Sequence, residues 1–103
     1  MPYHISFSNA ARVDMLTIQE YLQEQVNQGL APDDLPKLTL DFITNRIQEL
    51  ELFPNRFPIV DHELNMRRMV INKYLYNVFY RVENKTVKIL YIRHQAQKQA
   101  FHT

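Results

Sequence analysis

Apolar residues recur with two different periods along this chain, and the periods divide it into strands and helices. Tyr3, Ile5 and Phe7 alternate with His4, Ser6 and Ser8, which predicts a half-buried strand. The period then lengthens. Ala11, Met15, Ile18, Leu22 and Val26 recur every three or four residues and form one stripe of a helix over about 10–28. Ser8 or Asn9 is placed to cap its first turn, and Gly29 to end it in a left-handed conformation. "LAPDDLP" is a loop. Asp33 or Asp34 opens a second helix with Pro36 in its first turn, Leu40, Ile43, Ile47 and Leu50 form its stripe, and Pro54 stops it. Two helices joined by a short loop predict an antiparallel hairpin. The following "FPNRFPIVDHELN" is proline-punctuated and reads as irregular.

Three further strands are expected, over 66–71, 74–82 and 86–93. Asn72-Lys73 and Glu83-Asn84-Lys85 make short turns between them, which implies an antiparallel meander. A helix pair with one apolar stripe per helix needs a sheet face to cover. The expected architecture is therefore α+β. It has two layers, an antiparallel sheet with the N-terminal helical hairpin on one face, in the order β-α-α-β-β-β. A short C-terminal helix from about Gln95 completes it. The expected core includes Ile18, Leu22, Ile43, Ile47, Val78 and one of Ile89 and Leu90. If Leu90 and Ile92 face the helices, Ile89, Tyr91 and Arg93 face away from them.

A chain of 103 residues is the size of one domain, 1–103, and shows no repeat, linker or low-complexity segment. It has no cysteine, which removes disulfides, thiolate metal sites and a thiol nucleophile, and which fits a reducing, cytoplasmic location. The N-terminus "MPYHISFS" lacks a signal-peptide pattern, and no apolar run approaches a membrane span. A single glycine, Gly29, excludes glycine-rich phosphate loops, and no cofactor is expected. The net charge of +1 conceals an asymmetry. Residues 1–65 carry 4 Lys+Arg against 10 Asp+Glu (−6), whereas residues 66–103 carry 8 against 1 (+7). Eight cations in the late half exceed what protection of a sheet edge requires, and they point to an anionic partner.

These cations lie mostly on the predicted strands. Arg67 and Arg68 are adjacent in one strand, so they point to opposite faces and cannot both serve one site. Arg93, His94 and Lys98 follow at the C-terminal end. Tyrosines among the cations suit either phosphate contact with base stacking or ordinary sheet packing. His94 stands directly beside Arg93 and is the candidate general acid or base. The other histidines have no helical partner and no carboxylate cluster, so no metal site is expected.

The succession of "ARVDMLTIQEYL", "LELFPNRFP", "RRMVINKYLYNVFYRV" and "VKILYIRHQAQK" resembles the RelE/ParE toxin superfamily of bacterial type II toxin–antitoxin modules, over almost the whole chain. The resemblance implies a small cytoplasmic toxin, of the plasmid-stabilisation type, held by a cognate antitoxin as a hetero-oligomer. RelE-like members cleave mRNA on the ribosome with basic residues and a histidine or tyrosine near the C-terminus. ParE-like members poison DNA gyrase and lack that catalytic set. The long helix pair here is closer to the ParE branch. His94 matches a catalytic histidine of some nuclease members, but Gln95 replaces the tyrosine expected next. Tyr74-Leu75-Tyr76 replaces a cation expected early in the middle strand. A gyrase-directed toxin, a ribosome-dependent endoribonuclease and a non-toxic binding partner are the functions in contention. Arg67, Arg68, Arg93, His94 and Lys98 are the candidate target- or antitoxin-binding residues, with His94 catalytic only in a nuclease.

Overall fold

A computed structural model of the chain describes residues 2–97. The elements run β1 (His4–Phe7), α1 (Asn9–Asn27), α2 (Leu35–Gln48), β2 (Ile59–Asp61), β3 (Met66–Ile71), β4 (Tyr76–Glu83) and β5 (Thr86–His94). Short 3-10 turns follow α2 at Glu49–Glu51 and precede β4 at Lys73–Leu75. The helices form one layer and a five-stranded sheet in the order β1-β5-β4-β3-β2 forms the other.

The helices begin and end for the local reasons the sequence offers. Ser8 Oγ accepts from the Ala11 amide at 3.0 Å, satisfying a donor that the first turn of α1 leaves free. Gly29, with φ +74°, closes α1. Its amide returns to Val26 O at 3.0 Å and the Leu30 amide to Gln25 O at 2.8 Å, the paired bonds of a Schellman motif. Asp34 occupies the N-cap position of α2 without a side-chain capping bond. The stripes bury Ala11, Ile18 and Leu22 from α1, Ile43 and Ile47 from α2 and Leu50 from the 3-10 turn after it, against Met69, Val78, Ile89 and Ile92 of the sheet.

The sheet departs from expectation in several places. It is mixed: β1 lies parallel to β5, pairing Ile5 with Val87 and Phe7 with Ile89, while β2 to β5 are antiparallel. A helical hairpin separates β1 from its partner, so no tight turn dictates its direction, and a parallel pair is open to it. A short edge strand, β2, emerges from the segment expected to be irregular; it is three residues long, too short for a period to register. β4 starts at Tyr76 rather than Tyr74, because Tyr74 and Leu75 both take positive φ (69° and 64°). That turn is anchored by packing. The Tyr74 ring meets Phe42 of α2 edge-on at 5.8 Å, and the Lys73 ammonium sits 5.2 Å from the Phe42 ring centre.

Finally, the register between β4 and β5 shifts. Phe79 faces Tyr91 but Tyr80 faces Ile89, leaving Leu90 as the extra residue of a bulge. Val87, Ile89 and Ile92 therefore all enter the core, and Ile89, not Leu90, is the buried residue there. Strict alternation would have put Ile89 on the far side. The expected C-terminal helix from Gln95 begins as a turn at 95–97, and its remainder lies outside the described residues.

Candidate functional site

Adjacent positions on a strand face opposite ways, and that rule partitions the candidate residues. Arg67 pairs across β3–β4 with Tyr80 and shares the helix-side face with Met69 and Ile71. Its Nη1 donates to Phe57 O at 2.6 Å and Asn55 O at 3.2 Å. Beside it the buried Tyr80 hydroxyl donates to Pro54 O at 2.6 Å. Together they hold the proline-punctuated loop onto the end of the sheet. Burial pushes the Tyr80 phenol up to about 12, against a smaller downward pull from Arg67 and the Phe57 backbone.

Arg68 lies on the outer face, the side away from the helices, opposite Phe79. Arg81 and Lys88 sit opposite each other on that face, and Arg93 is opposite Asn77. The acids of this face among the described residues include Glu83, whose Oε1 pairs with Arg81 Nε at 2.6 Å, and Asp61 of β2, opposite Met66. The charge asymmetry of the sequence thus becomes a basic outer sheet face and an acid-rich helix layer.

Arg93 is doubly held. Its guanidinium lies 4.8 Å from the centre of the Tyr91 ring, and its Nε donates to Asp14 Oδ2 of α1 at 3.1 Å. The same oxygen accepts the Ile92 amide at 2.8 Å. This matters because β1 ends at Phe7 and leaves the outer half of β5 without a strand neighbour on that side. Ser8 Oγ, donating to Leu90 O at 2.8 Å, and Asp14 supply the missing hydrogen bonds.

His94 points the other way, toward the helices, opposite Tyr76. The two rings meet edge-on at 5.1 Å. His94 Nδ1 accepts the Ala96 amide at 3.1 Å, so the hydrogen-bond pattern assigns the proton of the neutral ring to Nε2. With Thr17, Ile18 and Tyr21 of α1, these rings line a cavity of about 430 Å³. Burial pushes the Tyr76 phenol above its ordinary value, and the nearby Tyr21 hydroxyl adds to the push. A phenol shifted upward stays protonated at neutral pH, so Tyr76 is unsuited to act as a general base.

The structure therefore separates what the sequence seemed to cluster. Arg68 and Arg93 share the outer face, flanking β4. Arg67 and His94 share the helix side, but the β4 residues opposite them, Tyr80 and Tyr76, are four positions apart, roughly 13 Å along the strand. Lys98 lies outside the described residues. Residues that sequence reasoning passed over include Asp14, Asn77 and Tyr21. Asn77 carried a legible signal, an amide inside an aromatic strand; Asp14 carried none, since its partners are 78 and 79 residues away. Among the described residues no group of three His, Asp or Glu could hold a metal, and no helix is long and apolar enough to cross a membrane.

The arrangement of hairpin and sheet is found in solved toxins. It is similar to a chain of the chromosomal ParDE toxin–antitoxin system from P. aeruginosa, with a TM-score of 0.72 at 16% identity, covering 89% of this chain and 95% of that one. It is similar to a chain of the RelBE2 toxin–antitoxin complex from Mycobacterium tuberculosis, with a TM-score of 0.66 at 22% identity and coverage of 91% and 99%. A mutant of the E. coli toxin RelE in the free state is more distant, with a TM-score of 0.57 at 10% identity and coverage of 93% and 86%. These identities establish a common fold. No curated protein matches the chain in sequence. The sequence model of the ParE toxin of the type II toxin–antitoxin system, parDE, does match, over residues 5–99. That match takes in β1, both helices and the whole late sheet, and the chain belongs to the ParE toxin family of type II toxin–antitoxin systems.

Proposed function

We propose that this toxin acts in the cytoplasm by poisoning DNA gyrase and is neutralised by a cognate antitoxin that binds it directly. The observation that carries the reading is the division of Arg93 and His94 between the two faces of β5. Cleavage of RNA needs a base, an acid and charge stabilisation converging on one phosphodiester. Here Arg68, Arg81, Lys88 and Arg93 gather on one side of the sheet and the imidazole is packed against Tyr76 on the other, where Arg67 is tied to the Asn55 and Phe57 carbonyls far along the sheet. A protein that poisons an enzyme by binding has no such requirement; it needs a complementary surface and a field that steers encounter. The outer face supplies such a field. The toxin–antitoxin complexes of similar fold support a protein partner for this chain as well.

A ribosome-dependent endoribonuclease is the second reading. It is favoured by the His94–Tyr76–Tyr21 cavity, which does bring titratable groups together. Mixing the isolated chain with purified gyrase and, separately, with translating ribosomes tests both. Trapped gyrase–DNA breaks that survive His94→Ala are expected. Codon-positioned cuts in ribosome-bound mRNA that vanish in His94→Ala would overturn the gyrase reading and make His94 catalytic.

A further inference from the structure

The side of α1 turned away from the core is not uniformly polar. Ala11, Ile18 and Leu22 point into the core. At about 3.6 residues per turn, the opposite direction carries Val13, Leu16, Glu20 and Glu24, all of them exposed. Val13 and Leu16 are each 58% exposed and lie one turn apart, so they are neighbours on the helix surface. Apolar side chains scattered singly over a surface are ordinary. Two side by side at the centre of the solvent face of a helix make a patch, where a surface helix otherwise carries polar residues.

The charges around the patch lack partners within the molecule. Arg12, Leu16 and Glu20 recur every four residues and form one row along α1, a cation, an apolar side chain and an anion. Arg12 and Glu20 are about 12 Å apart along the axis, too far to meet. The residues three and four away from Arg12 are Ser8, Asn9, Met15 and Leu16, so the helix offers it no acid. Glu20 has Glu24 four residues on, an unfavourable pair of like charges. Neither Arg12 nor Glu20 forms an ion pair among the described residues.

This row is complementary to itself. If a second α1 is laid antiparallel about a two-fold axis through Leu16, Arg12 of each helix comes opposite Glu20 of the other, about 6 Å to either side of the axis. Leu16 meets Leu16 at the centre, and Val13 broadens the apolar contact. We propose that this face of α1 is a homodimer interface, an isologous antiparallel contact between two copies of the chain with Leu16 at its centre and two Arg12–Glu20 ion pairs. Such a contact closes at two copies and cannot grow into a filament. Each arriving Arg12 also relieves the repulsion between Glu20 and Glu24. The contact is a strip about 28 Å long and about 10 Å wide, well short of the roughly 800 Å² per partner of a standard interface. The dimer is therefore weak, dissociating at about 10–100 µM. It uses the helix layer, leaves the basic sheet face open, and does not depend on which target the toxin takes.

Sedimentation velocity of the full chain without antitoxin, over about 1–500 µM, tests this. The wild type is expected to pass from monomer to dimer in that range. Leu16→Glu is expected to stay monomeric throughout. Arg12→Glu and Glu20→Arg are each expected to weaken association about tenfold, and the two together in one chain to restore it, because the pair is then reversed and intact. Neither reversal harms the helix. Glutamate near the N-terminus of α1 suits the helix dipole, and Glu20→Arg removes a like-charge pair, so each variant should melt no lower than the wild type. A wild type that stays monomeric at about 500 µM overturns the inference, as does a Leu16→Glu chain that still dimerises. A double reversal that stays as weak as the single ones overturns the Arg12–Glu20 pairing and with it the antiparallel arrangement. If Leu16→Glu weakens binding of the antitoxin and leaves association of the free chain unchanged, the face belongs to the antitoxin and the inference is equally overturned.

Discussion

Replacing Asp14 by alanine should unsettle the outer end of β5 although the residue lies on a helix far away in sequence. Asp14 Oδ2 accepts two hydrogen bonds, from the Ile92 amide and from Arg93 Nε. Without the carboxylate, the Ile92 amide is left unpaired on a strand edge already covered by α1. An unsatisfied buried donor costs about 1–3 kcal/mol. The ion pair adds less. Its side chains are 16% and 25% exposed, so the Coulomb gain is screened and is worth about 0.2–1 kcal/mol. The sum for Asp14→Ala is about 1–4 kcal/mol, or a fall in melting temperature of roughly 5–30 °C for a domain of this size.

Asp14→Asn keeps an oxygen that can accept from Ile92 and loses the charge, so its cost should stay below about 1 kcal/mol. Urea denaturation followed by circular dichroism measures both. The cycle of Asp14→Ala, Arg93→Ala and the double variant isolates the ion pair. If Asp14→Ala costs under about 0.5 kcal/mol, the strand-edge argument fails. If Asp14→Asn costs as much as Asp14→Ala, charge and not the backbone hydrogen bond is what Asp14 contributes.

Ile47 is 1% exposed at the centre of the α2 stripe, and Ile47→Ala should cost about 2–5 kcal/mol in the same denaturation assay. Tyr80 ionises near 10 in an unfolded chain and at about 12 in the folded one, so stability should be flat below pH 10 and fall between about pH 10 and 12, by up to about 1.4 kcal/mol per unit. Tyr80→Phe should remove that component of the alkaline fall, which pH-dependent unfolding would reveal. Lys88 faces Arg81 directly, and like charges opposite each other are unfavourable. Lys88→Thr should therefore leave the free chain as stable or slightly more so, while weakening antitoxin binding and flattening its dependence on salt, both read by calorimetry at several salt concentrations.

The helices were legible in the sequence because their signals are local. The stripe from Ala11 to Leu22, the Ser8 cap and the Gly29 terminator each act within a few residues, and each recurs in the structure, while Val26 at the end of the stripe stays outside the core cluster. The opposed orientation of Arg67 and Arg68 was legible for the same reason. Features set by distant contacts were not. The parallel pairing of β1 depends on where the hairpin returns the chain. The bulge at Leu90 reverses the faces of Ile89 and Leu90 without leaving a mark in the pattern. Tyr74 and Leu75 adopt left-handed conformations in a turn that contains no glycine, held by packing on α2 rather than by intrinsic preference. At the candidate site, charge could be read from the sequence but its pairing could not. Arg93 looks available beside His94 until Asp14 is brought to it by the fold.

The adjacency of Arg93 and His94 is therefore no evidence of joint action. A strand places neighbouring side chains on opposite faces, so residues side by side in sequence are among the least able to meet at one atom. Arg93 joins the basic outer face and ties it through Asp14 to α1. His94 packs on Tyr76 and, through its Nδ1 and the Ala96 amide, shapes the turn that follows β5. Gln95 completes the connection, its amide donating to Leu75 O at 2.7 Å and its side chain to Ile71 O at 3.2 Å. The end of β5 is thus a junction where helix, sheet and the β3–β4 turn are fastened together. A cation at such a junction is held in place before any partner arrives, and a partner binding it loses less entropy than one that must order a free side chain.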